Sequence, residues 1–199
     1  MSQLGSEEIV AAFQGLAASQ VGDVQDRFGV IDAAINPLDR DVHFVGQART
    51  VLTAGGDNLM IHELIPLLEP GDVVMVDGQG ATHRALLGEL MTERMKRRGA
   101  VGIVVDGAVR DALGIVELGV PTYARAVTPA GPYRNGPGKI DVPVSIGGVV
   151  VFPGDWVIGD GDGVTVVREA DVESVLEAAK KKRLAEEKQM AGIRSGEVI

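Results

Sequence analysis

The sequence predicts an α/β fold organised around one parallel sheet, and residues 71–111 carry that prediction. Two short apolar runs rich in valine, residues 73–76 and 101–105, are each followed by Asp-Gly, which is typical of buried strands. The stretch between them has apolar residues at helical spacing, with two more beside them: Leu87, Met91 and Met95, flanked by Leu86 and Leu90. A strand, a crossover helix and a second strand form the unit that builds a parallel sheet.

The carboxyl ends of these two strands are where we expect a ligand site. Open parallel sheets bind ligands in the crevice beyond that end of their strands. Both Asp-Gly corners lie there in this interpretation, and the pair Arg110-Asp111 follows the second one directly.

Composition favours one globular domain spanning residues 1–199. The chain has 199 residues, of which 45% are hydrophobic and 24% charged, so it can bury one sizeable core. The net charge is −9, so the chain lacks the excess of basic residues that is typical of a nucleic-acid-binding protein. The chain has no cysteine, which excludes disulfides, thiolate metal sites and a cysteine nucleophile. The start of the chain has no signal-peptide pattern and no apolar run of membrane-spanning length, so we expect a cytoplasmic protein outside the membrane.

Before the central unit, two short helices, a strand and a third helix are expected. The helices cover residues 6–16, where Ser6 can cap, and residues 21–28, which Gly29 ends. A polar loop at residues 32–41 leads to a strand at 43–52. A turn at 53–58 then opens a helix at 59–68, capped by Asp57 or Asn58.

After the central unit, the pattern changes to short strands and a final helix. A helix at 112–118 and a strand beginning at 120–123 precede a Gly- and Pro-rich loop, residues 128–139, of a length that is often functional. Four short strands of antiparallel character follow at 142–146, 149–152, 156–159 and 164–167. The last helix, about residues 169–190, has few apolar residues beyond Leu176. A helix this polar either frays or docks on another subunit, and we favour docking because a solitary one is marginal.

Arg110-Asp111 is the strongest candidate for chemistry. An aspartate at a strand end can hold a hard divalent cation through oxygen, and the neighbouring arginine can bind a carboxylate or stabilise an enolate. The alternative is a surface ion pair, or a cap at the start of the helix at 112–118.

Gly88 is the second unusual residue, because a glycine inside a helix costs about 1 kcal/mol relative to alanine. Either the helix begins at Gly88 and offers free N–H groups to an anion, or the glycine allows close packing of helix on sheet. The other candidates are weaker. His43, His62 and His83 lack metal-ligand spacing, residues 160–163 are interpreted as a hairpin turn, and neither a nucleotide loop nor a GxSxG elbow is present.

Five motifs in order resemble the RraA-like family, and within it the 4-hydroxy-4-methyl-2-oxoglutarate and 4-carboxy-4-hydroxy-2-oxoadipate aldolases. They are GGDNL at 55–59, VDGQG at 76–80, RALLGELM at 84–91, VVDGAVRD at 104–111 and the tail from PAGPYRNGPGK to GDGDGV. The resemblance covers residues 7–190. It implies a swivelling three-layer β/β/α fold, assembled as a homotrimer or homohexamer with sites between subunits.

The resemblance also implies a class II pyruvate aldolase that needs Mg²⁺ or Mn²⁺. Backbone N–H groups of Gly88, Glu89, Leu90 and Met91 would bind the substrate carboxylate. Arg110 would bind the keto-acid end, Asp111 would ligate the metal, and Glu89 would reach the metal through water. Glu186 or Glu187 would extend into a neighbouring site, although the spacing there varies within the family.

These implied roles agree with the chemistry of 2-oxo acids. Cleavage next to the keto group leaves a pyruvate enolate, which a chelated cation and an arginine both stabilise. No histidine or lysine is uniquely placed as the base, so we expect a metal-bound water to serve. Oxaloacetate decarboxylation passes through the same enolate and is expected as a second activity. The same family includes regulators that bind and inhibit ribonuclease E, some without the acid after the arginine. Because Asp111 is present, the enzyme is favoured over the regulator.

Overall fold

The computed structural model describes residues 4–196, so the first three and last three residues of the predicted domain lie outside it. In chain order the α-helices are α1 Ser6–Phe13, α2 Ala18–Asp23, α3 Leu59–Leu64, α4 Glu89–Arg97, α5 Ala112–Leu118 and α6 Val172–Ser195. The strands are β1 Asn36–Pro37, β2 His43–Thr53, β3 Asp72–Leu87, β4 Gly102–Val109, β5 Thr122–Val127, β6 Gly138–Ile140, β7 Val144–Ile146, β8 Val149–Val151, β9 Trp156–Asp160 and β10 Gly163–Val167. None of these helices is long and apolar enough to cross a membrane.

The main sheet has the order β1-β5-β4-β3-β2-β9-β10, and β6 adds to β2. Its centre is parallel, because β2, β3, β4 and β5 run in the same direction. The pair β9–β10 is antiparallel, and β7–β8 forms a separate antiparallel hairpin. The predicted α/β class and the antiparallel tail are both confirmed.

Three layers arise because successive strand residues point to opposite faces of the sheet. On one face, Val74, Val76 and Ile103 pack beneath α3, α4 and α5. On the other face, residues such as Val73 and Met75 pack with the hairpin β7–β8. The implied β/β/α arrangement is therefore confirmed. A third cluster joins α1, α2 and α6 to β9 and β10, and includes Phe13, Trp156, Ile158 and Leu176.

The central unit differs from the prediction in one respect that matters for the site. The strand β3 does not end at Asp77-Gly78 but continues to Leu87, so Leu86 and Leu87 belong to the strand and not to the helix. Asp77 pairs with Asp106, and Leu87 pairs with Val109. The segment of β3 between these two pairs is longer than the segment of β4, so β3 contains several bulges. Leu90, predicted beside the apolar helix face, is 74% exposed.

The second Asp-Gly corner also lies inside a strand. Asp106 is buried and forms an ion pair with Arg125 of β5, while its Oδ2 atom accepts a hydrogen bond from the Gly147 N–H at 2.6 Å. This aspartate therefore fixes the hairpin β7–β8 to the main sheet and does not face a ligand site.

Smaller differences concern element ends. The second helix, expected at residues 21–28, is α2 and ends at Asp23, and Asp26 and Arg27 both adopt positive φ beyond it. The loop at 32–41 contains the two-residue strand β1, which pairs with β5. The final helix α6 begins at Val172 after a 3₁₀ turn and continues to Ser195.

Candidate active site

The predicted site residues meet where β3 and β4 end and the helices α4 and α5 begin. Gly88 follows β3 and is the N-cap of α4. Arg110 follows β4, and Asp111 is the N-cap of α5. The two chain segments are joined by a backbone hydrogen bond of 3.0 Å from the Arg110 N–H to the Leu87 carbonyl. Two sequence-distant segments thus form one mouth at the carboxyl ends of the central strands.

Asp111 turns its side chain back across this mouth. Its backbone is left-handed, with φ 55° and ψ 40°, and its carboxylate does not cap its own helix. The Oδ2 atom lies 3.4 Å from the Glu89 backbone nitrogen and 3.4 Å from Arg110 Nε. The side chains of Arg110 and Asp111 are 43% and 47% exposed, so both charges remain open to a ligand. Asp111 thus occupies the N-cap position of α5 without making a side-chain capping hydrogen bond, and its ion pair with Arg110 is present.

Gly88 is required by the side chains that pack on it. A β-carbon at this position would collide with Asp111 Oδ2 and lie 2.8 Å from Arg110 Cγ. The helix α4 begins at Glu89, directly after Gly88. Gly88 therefore marks the start of the helix, as the first explanation expected, and the close packing involves Arg110 and Asp111 and not the sheet.

The first turn of α4 contains the backbone N–H groups that were expected to bind a carboxylate. The Leu90 N–H occupies the second helical position, where no acceptor exists within the helix. The Met91 N–H donates to the Gly88 carbonyl at 3.1 Å. The Glu89 side chain is exposed and lies against Gly114 in the first turn of α5, with Oε2 2.5 Å from where a β-carbon of residue 114 would stand.

A small pocket of about 30 Å³ marks the mouth. It is lined by Asn58, Leu87, Gly88, Leu90, Met91, Arg110, Asp111 and Pro132, none of which is a histidine or lysine. Two larger cavities, of about 570 and 590 Å³, lie elsewhere, around α1 and the opposite end of the sheet. The small pocket is lined by the predicted residues Gly88, Leu90, Met91, Arg110 and Asp111, whereas Glu89 is not part of its lining.

One wall of the pocket comes from the Gly- and Pro-rich loop, through Pro132. Arg84 of β3 holds this loop by donating to the Gly131 carbonyl at 2.8 Å and to the Tyr133 hydroxyl at 2.9 Å. Its guanidinium also stacks on the Tyr133 ring at 4.2 Å. On the pocket side, Arg110 Nη1 lies 3.3 Å from the position of a β-carbon at Gly131. The loop is thus held by Arg84 and lies next to Arg110.

The turn at residues 55–58 holds the other end of the same loop. Buried Asp57 accepts hydrogen bonds from the Leu59 N–H at 2.9 Å and the Asn135 N–H at 2.6 Å. Burial alone would raise the pKa of Asp57, but the N–H groups of Asn135, Leu59 and Gly136 outweigh it and hold the pKa below its usual value.

Sequence reasoning did not assign these residues to the site. Asp57 and Asn58 were named only as helix caps, and Arg84 and Pro132 only as parts of a motif and of the Gly- and Pro-rich loop. Their partners are distant along the chain, so spacing alone did not connect them.

Several weaker candidates are placed away from the mouth. His83 is exposed beside Gly56 and does not line the pocket. The turn at 160–163 joins β9 to β10, as predicted. Within this chain, Glu186 pairs with Lys182 and Gln20, and Glu187 pairs with Arg183 on the same helix.

The donor set at the mouth is compatible with a hard divalent cation. In the part of the chain that the structure describes, no group of three or more His, Cys, Asp or Glu side chains could hold a metal. Mg²⁺, however, is commonly bound by only one or two carboxylates, with water and substrate oxygens completing its shell. Asp111 and Glu89 supply such carboxylates beside one another's helix termini, so the residues present fit.

Comparison with known proteins shows the family. Residues 17–166 match the RraA-like family, described as Aldolase/RraA, and the chain belongs to it. A relative from Halalkalibacterium halodurans named putative 4-hydroxy-4-methyl-2-oxoglutarate aldolase is 38% identical over 180 residues, which cover 90% of this chain and 86% of the relative.

Two solved structures extend the comparison. Streptomyces coelicolor RraAS2, described as an unusual member of the RNase ES inhibitor RraA family, aligns with a TM-score of 0.82 and 28% identity over 92% of this chain and 97% of that one. An uncharacterized protein from Pseudomonas syringae aligns with a TM-score of 0.89 and 23% identity over 99% of this chain and 92% of that one, which supports the fold alone.

Proposed function

We propose that this protein is a divalent-metal-dependent class II pyruvate aldolase. Its substrates would be 4-hydroxy-4-methyl-2-oxoglutarate and 4-carboxy-4-hydroxy-2-oxoadipate, cleaved to pyruvate and a second 2-oxo acid. We further propose oxaloacetate decarboxylation as a side activity, because loss of CO₂ from oxaloacetate passes through the same enolate.

One observation carries this proposal. Arg110, Asp111 and Glu89 converge at the first turns of α4 and α5, in a chain that is 38% identical to a relative named for this aldolase activity. A cationic group, two exposed carboxylates and a backbone N–H group without a helical acceptor are parts that enolate chemistry needs.

The first turn of α4 would bind the substrate carboxylate. Its N–H groups point out of the helix end, and the helix dipole favours an anion there. The segment Gly88, Glu89, Leu90 and Met91 forms this end, and the Leu90 N–H has no acceptor within the helix. A carboxylate held in this way would fix the pyruvoyl unit without a further charged side chain.

Arg110 would act on the keto oxygen. Its guanidinium is 43% exposed at the pocket, and its contact with Asp111 at 3.4 Å is long enough to yield to a ligand. As the bond between C3 and C4 breaks, the electron pair moves onto this oxygen, where a fixed cation stabilises the developing charge.

Asp111 would hold the metal, with Glu89 reaching it through water. A bound Mg²⁺ or Mn²⁺ would supply Lewis-acid stabilisation to the enolate oxygens. Asp111 is directed into the mouth by the left-handed backbone and by the absence of a side chain at Gly88. We also propose that the protein works as a homotrimer or homohexamer.

A second candidate function is a protein regulator that binds and inhibits ribonuclease E. The alignment with RraAS2 over 97% of that chain favours it, because that protein is described within an RNase ES inhibitor family. The regulator needs neither metal nor 2-oxo acid, and this difference separates the two functions experimentally.

The test is pyruvate release, followed by a coupled assay. The two hydroxy-oxo acids and oxaloacetate would each be supplied with Mg²⁺, with Mn²⁺ and with a chelator. We expect metal-dependent turnover of both substrate types, and the ratio of kcat/KM values would identify the better one.

Other results would redirect the proposal. Turnover of oxaloacetate alone would make the protein a decarboxylase. If none of the three compounds turns over with metal present, the aldolase proposal fails. Metal and pyruvate should then leave the melting temperature unchanged, whereas a ligand at about 100 times its Kd stabilises by about 2.7 kcal/mol.

A further inference from the structure

Gly114 occupies a position where helix formation by itself would favour another residue. It lies inside α5, near its start, and glycine is among the least favourable residues within a helix. Its φ is not among the positive values found in the chain, so the backbone does not require glycine there. The reason for this glycine must therefore be the space that a side chain would fill.

That space is filled by the carboxylate of Glu89. A β-carbon on residue 114 would lie 2.5 Å from Glu89 Oε2, 2.7 Å from Cδ and 3.0 Å from Cγ. Non-bonded atoms do not lie this close together, so either the added β-carbon or the Glu89 side chain would have to move. Within residues 4–196 the Glu89 carboxylate has no hydrogen bond or ion pair, so the space left free at Gly114 is the feature of its surroundings that admits this position.

The arrangement has a counterpart on the other helix. Gly88, the residue before α4, leaves room for the carboxylate of Asp111, the residue before α5. A glycine at the start of each helix thus lies opposite an acid of the other segment: Gly88 opposite Asp111, and Gly114 opposite Glu89.

We propose that Gly114 is a positioning residue for Glu89. The missing side chain lets the Glu89 carboxylate lie against the first turn of α5, where it can act together with Asp111 on one divalent cation. The inference rests on the proposed function, and it adds a residue that touches neither metal nor substrate.

An alanine at position 114 should displace Glu89 without disturbing the fold. Glu89 is exposed and flexible, so rotation of its side chain is the easiest response to the added methyl group. The helix itself should benefit, because alanine is the best helix former. Stability and metal affinity are therefore expected to change in opposite directions.

The experiment measures Mn²⁺ affinity of the full-length protein by electron paramagnetic resonance of the free ion, with no substrate present. Wild type, Gly114→Ala, Glu89→Gln and the double variant are compared. We expect Gly114→Ala to weaken Mn²⁺ binding about tenfold, a size typical of outer-shell changes at metal sites. The metal-free melting temperature should rise by about 2 to 4 °C.

The double variant decides whether Glu89 is the intermediary. In the Glu89→Gln background, Gly114→Ala should cause no further loss of Mn²⁺ affinity, while the rise in melting temperature should persist. An equal loss in both backgrounds would overturn the inference, as would an unchanged affinity of Gly114→Ala or a lowered melting temperature. Wild type that binds no Mn²⁺ would instead refute the proposed metal site, and this inference with it.

Discussion

Asp111 shows how one residue's backbone directs its chemistry. Its φ of 55° is unusual for a residue other than glycine, and aspartate and asparagine tolerate this region better than most. Because of that conformation, the carboxylate points across the mouth to Arg110 and the α4 terminus and does not cap α5. The strained backbone is thus part of how the pair Arg110-Asp111 becomes available to a ligand.

Replacing Asp111 should separate charge from conformation. Asp111→Asn keeps a side chain suited to positive φ, so we expect loss of metal-dependent aldolase activity with an unchanged melting temperature. Asp111→Ala should lose the same activity and also cost about 1 kcal/mol of stability, because alanine is less tolerant of this conformation. Pyruvate release and thermal unfolding measure the two effects. Full activity in Asp111→Ala would exclude this residue as the metal ligand.

The loop between β5 and β6 is held in place by residues that are distant from it along the chain. Arg84 of β3 binds it at Gly131 and Tyr133, and Asp57 binds it at Asn135. Pro132 of the same loop lines the pocket. Arg84 and Asp57 thus position the loop that forms one wall of the pocket, although neither residue lines the pocket.

Removing the Arg84 side chain should loosen this loop. Arg84→Ala deletes two hydrogen bonds and a cation–π contact, which together are worth about 1 to 2 kcal/mol at a partly exposed site. We expect faster amide hydrogen exchange at Tyr133 and Asn135, with little change in the central strands. Tyr133→Phe is the matched control, since it keeps the ring and removes only the hydroxyl, and should have a smaller effect. Unaltered exchange at Tyr133 in Arg84→Ala would show that the arginine does not hold the loop.

Asp57 should make the stability of this region sensitive to acid. Its pKa lies below the value of about 3.9 for an unfolded aspartate, because backbone hydrogen bonds outweigh burial. Its contribution is therefore fully present above about pH 4 and is lost as the pH falls through the lower, folded-state pKa. At pH 7 we expect Asp57→Asn to be less stable than wild type by about 1.5 to 3 kcal/mol in urea denaturation. This difference should shrink below pH 4, and a difference independent of pH would refute the account.

At the level of the whole molecule, α6 extends beyond the packing of its own chain. Its buried residues are Val172, Val175, Leu176 and Ala179 at the start, and only Gly192 thereafter. Leu184, Met190 and Ile193 are exposed. A helix of this polarity gains little stability by itself, so its second half is suited to contact with another subunit.

Truncation after Arg183 should test this contact. The shortened chain keeps the buried residues at the start of α6, so we expect it to fold with a similar circular dichroism spectrum. On the proposal that the full-length protein is a trimer or hexamer, the mass of the shortened chain in solution, measured by light scattering, should fall from three or six times the chain mass to a smaller multiple. An unchanged assembly would show that the distal half of α6 does not hold the subunits together.

Local patterns in the sequence were sufficient for the fold class and for the neighbourhood of the site. Valine-rich runs and helical spacing indicated the parallel strands and most helices. Arg110-Asp111 was identified by its position after a strand, and Gly88 because a glycine is unfavourable inside a predicted helix. These features depend on residues close together along the chain, for which side-chain period and turn chemistry are informative.

Tertiary structure decided how far β3 extends and which aspartates lie at the mouth. Residues 84–87 have helical spacing, but the Ala85 N–H bonds to the Ala130 carbonyl and Leu87 pairs with Val109, so pairing with distant strands prevails over local spacing. Asp106 ends the valine-rich run of β4, the same strand that leads to Arg110-Asp111, but Arg125 and Gly147 bind it in the interior. Hydrogen bonds and packing between segments far apart in the chain leave no local pattern in the sequence. They placed the Gly- and Pro-rich loop, with Arg84 and Asp57 that hold it, and the glycines Gly88 and Gly114 around the mouth.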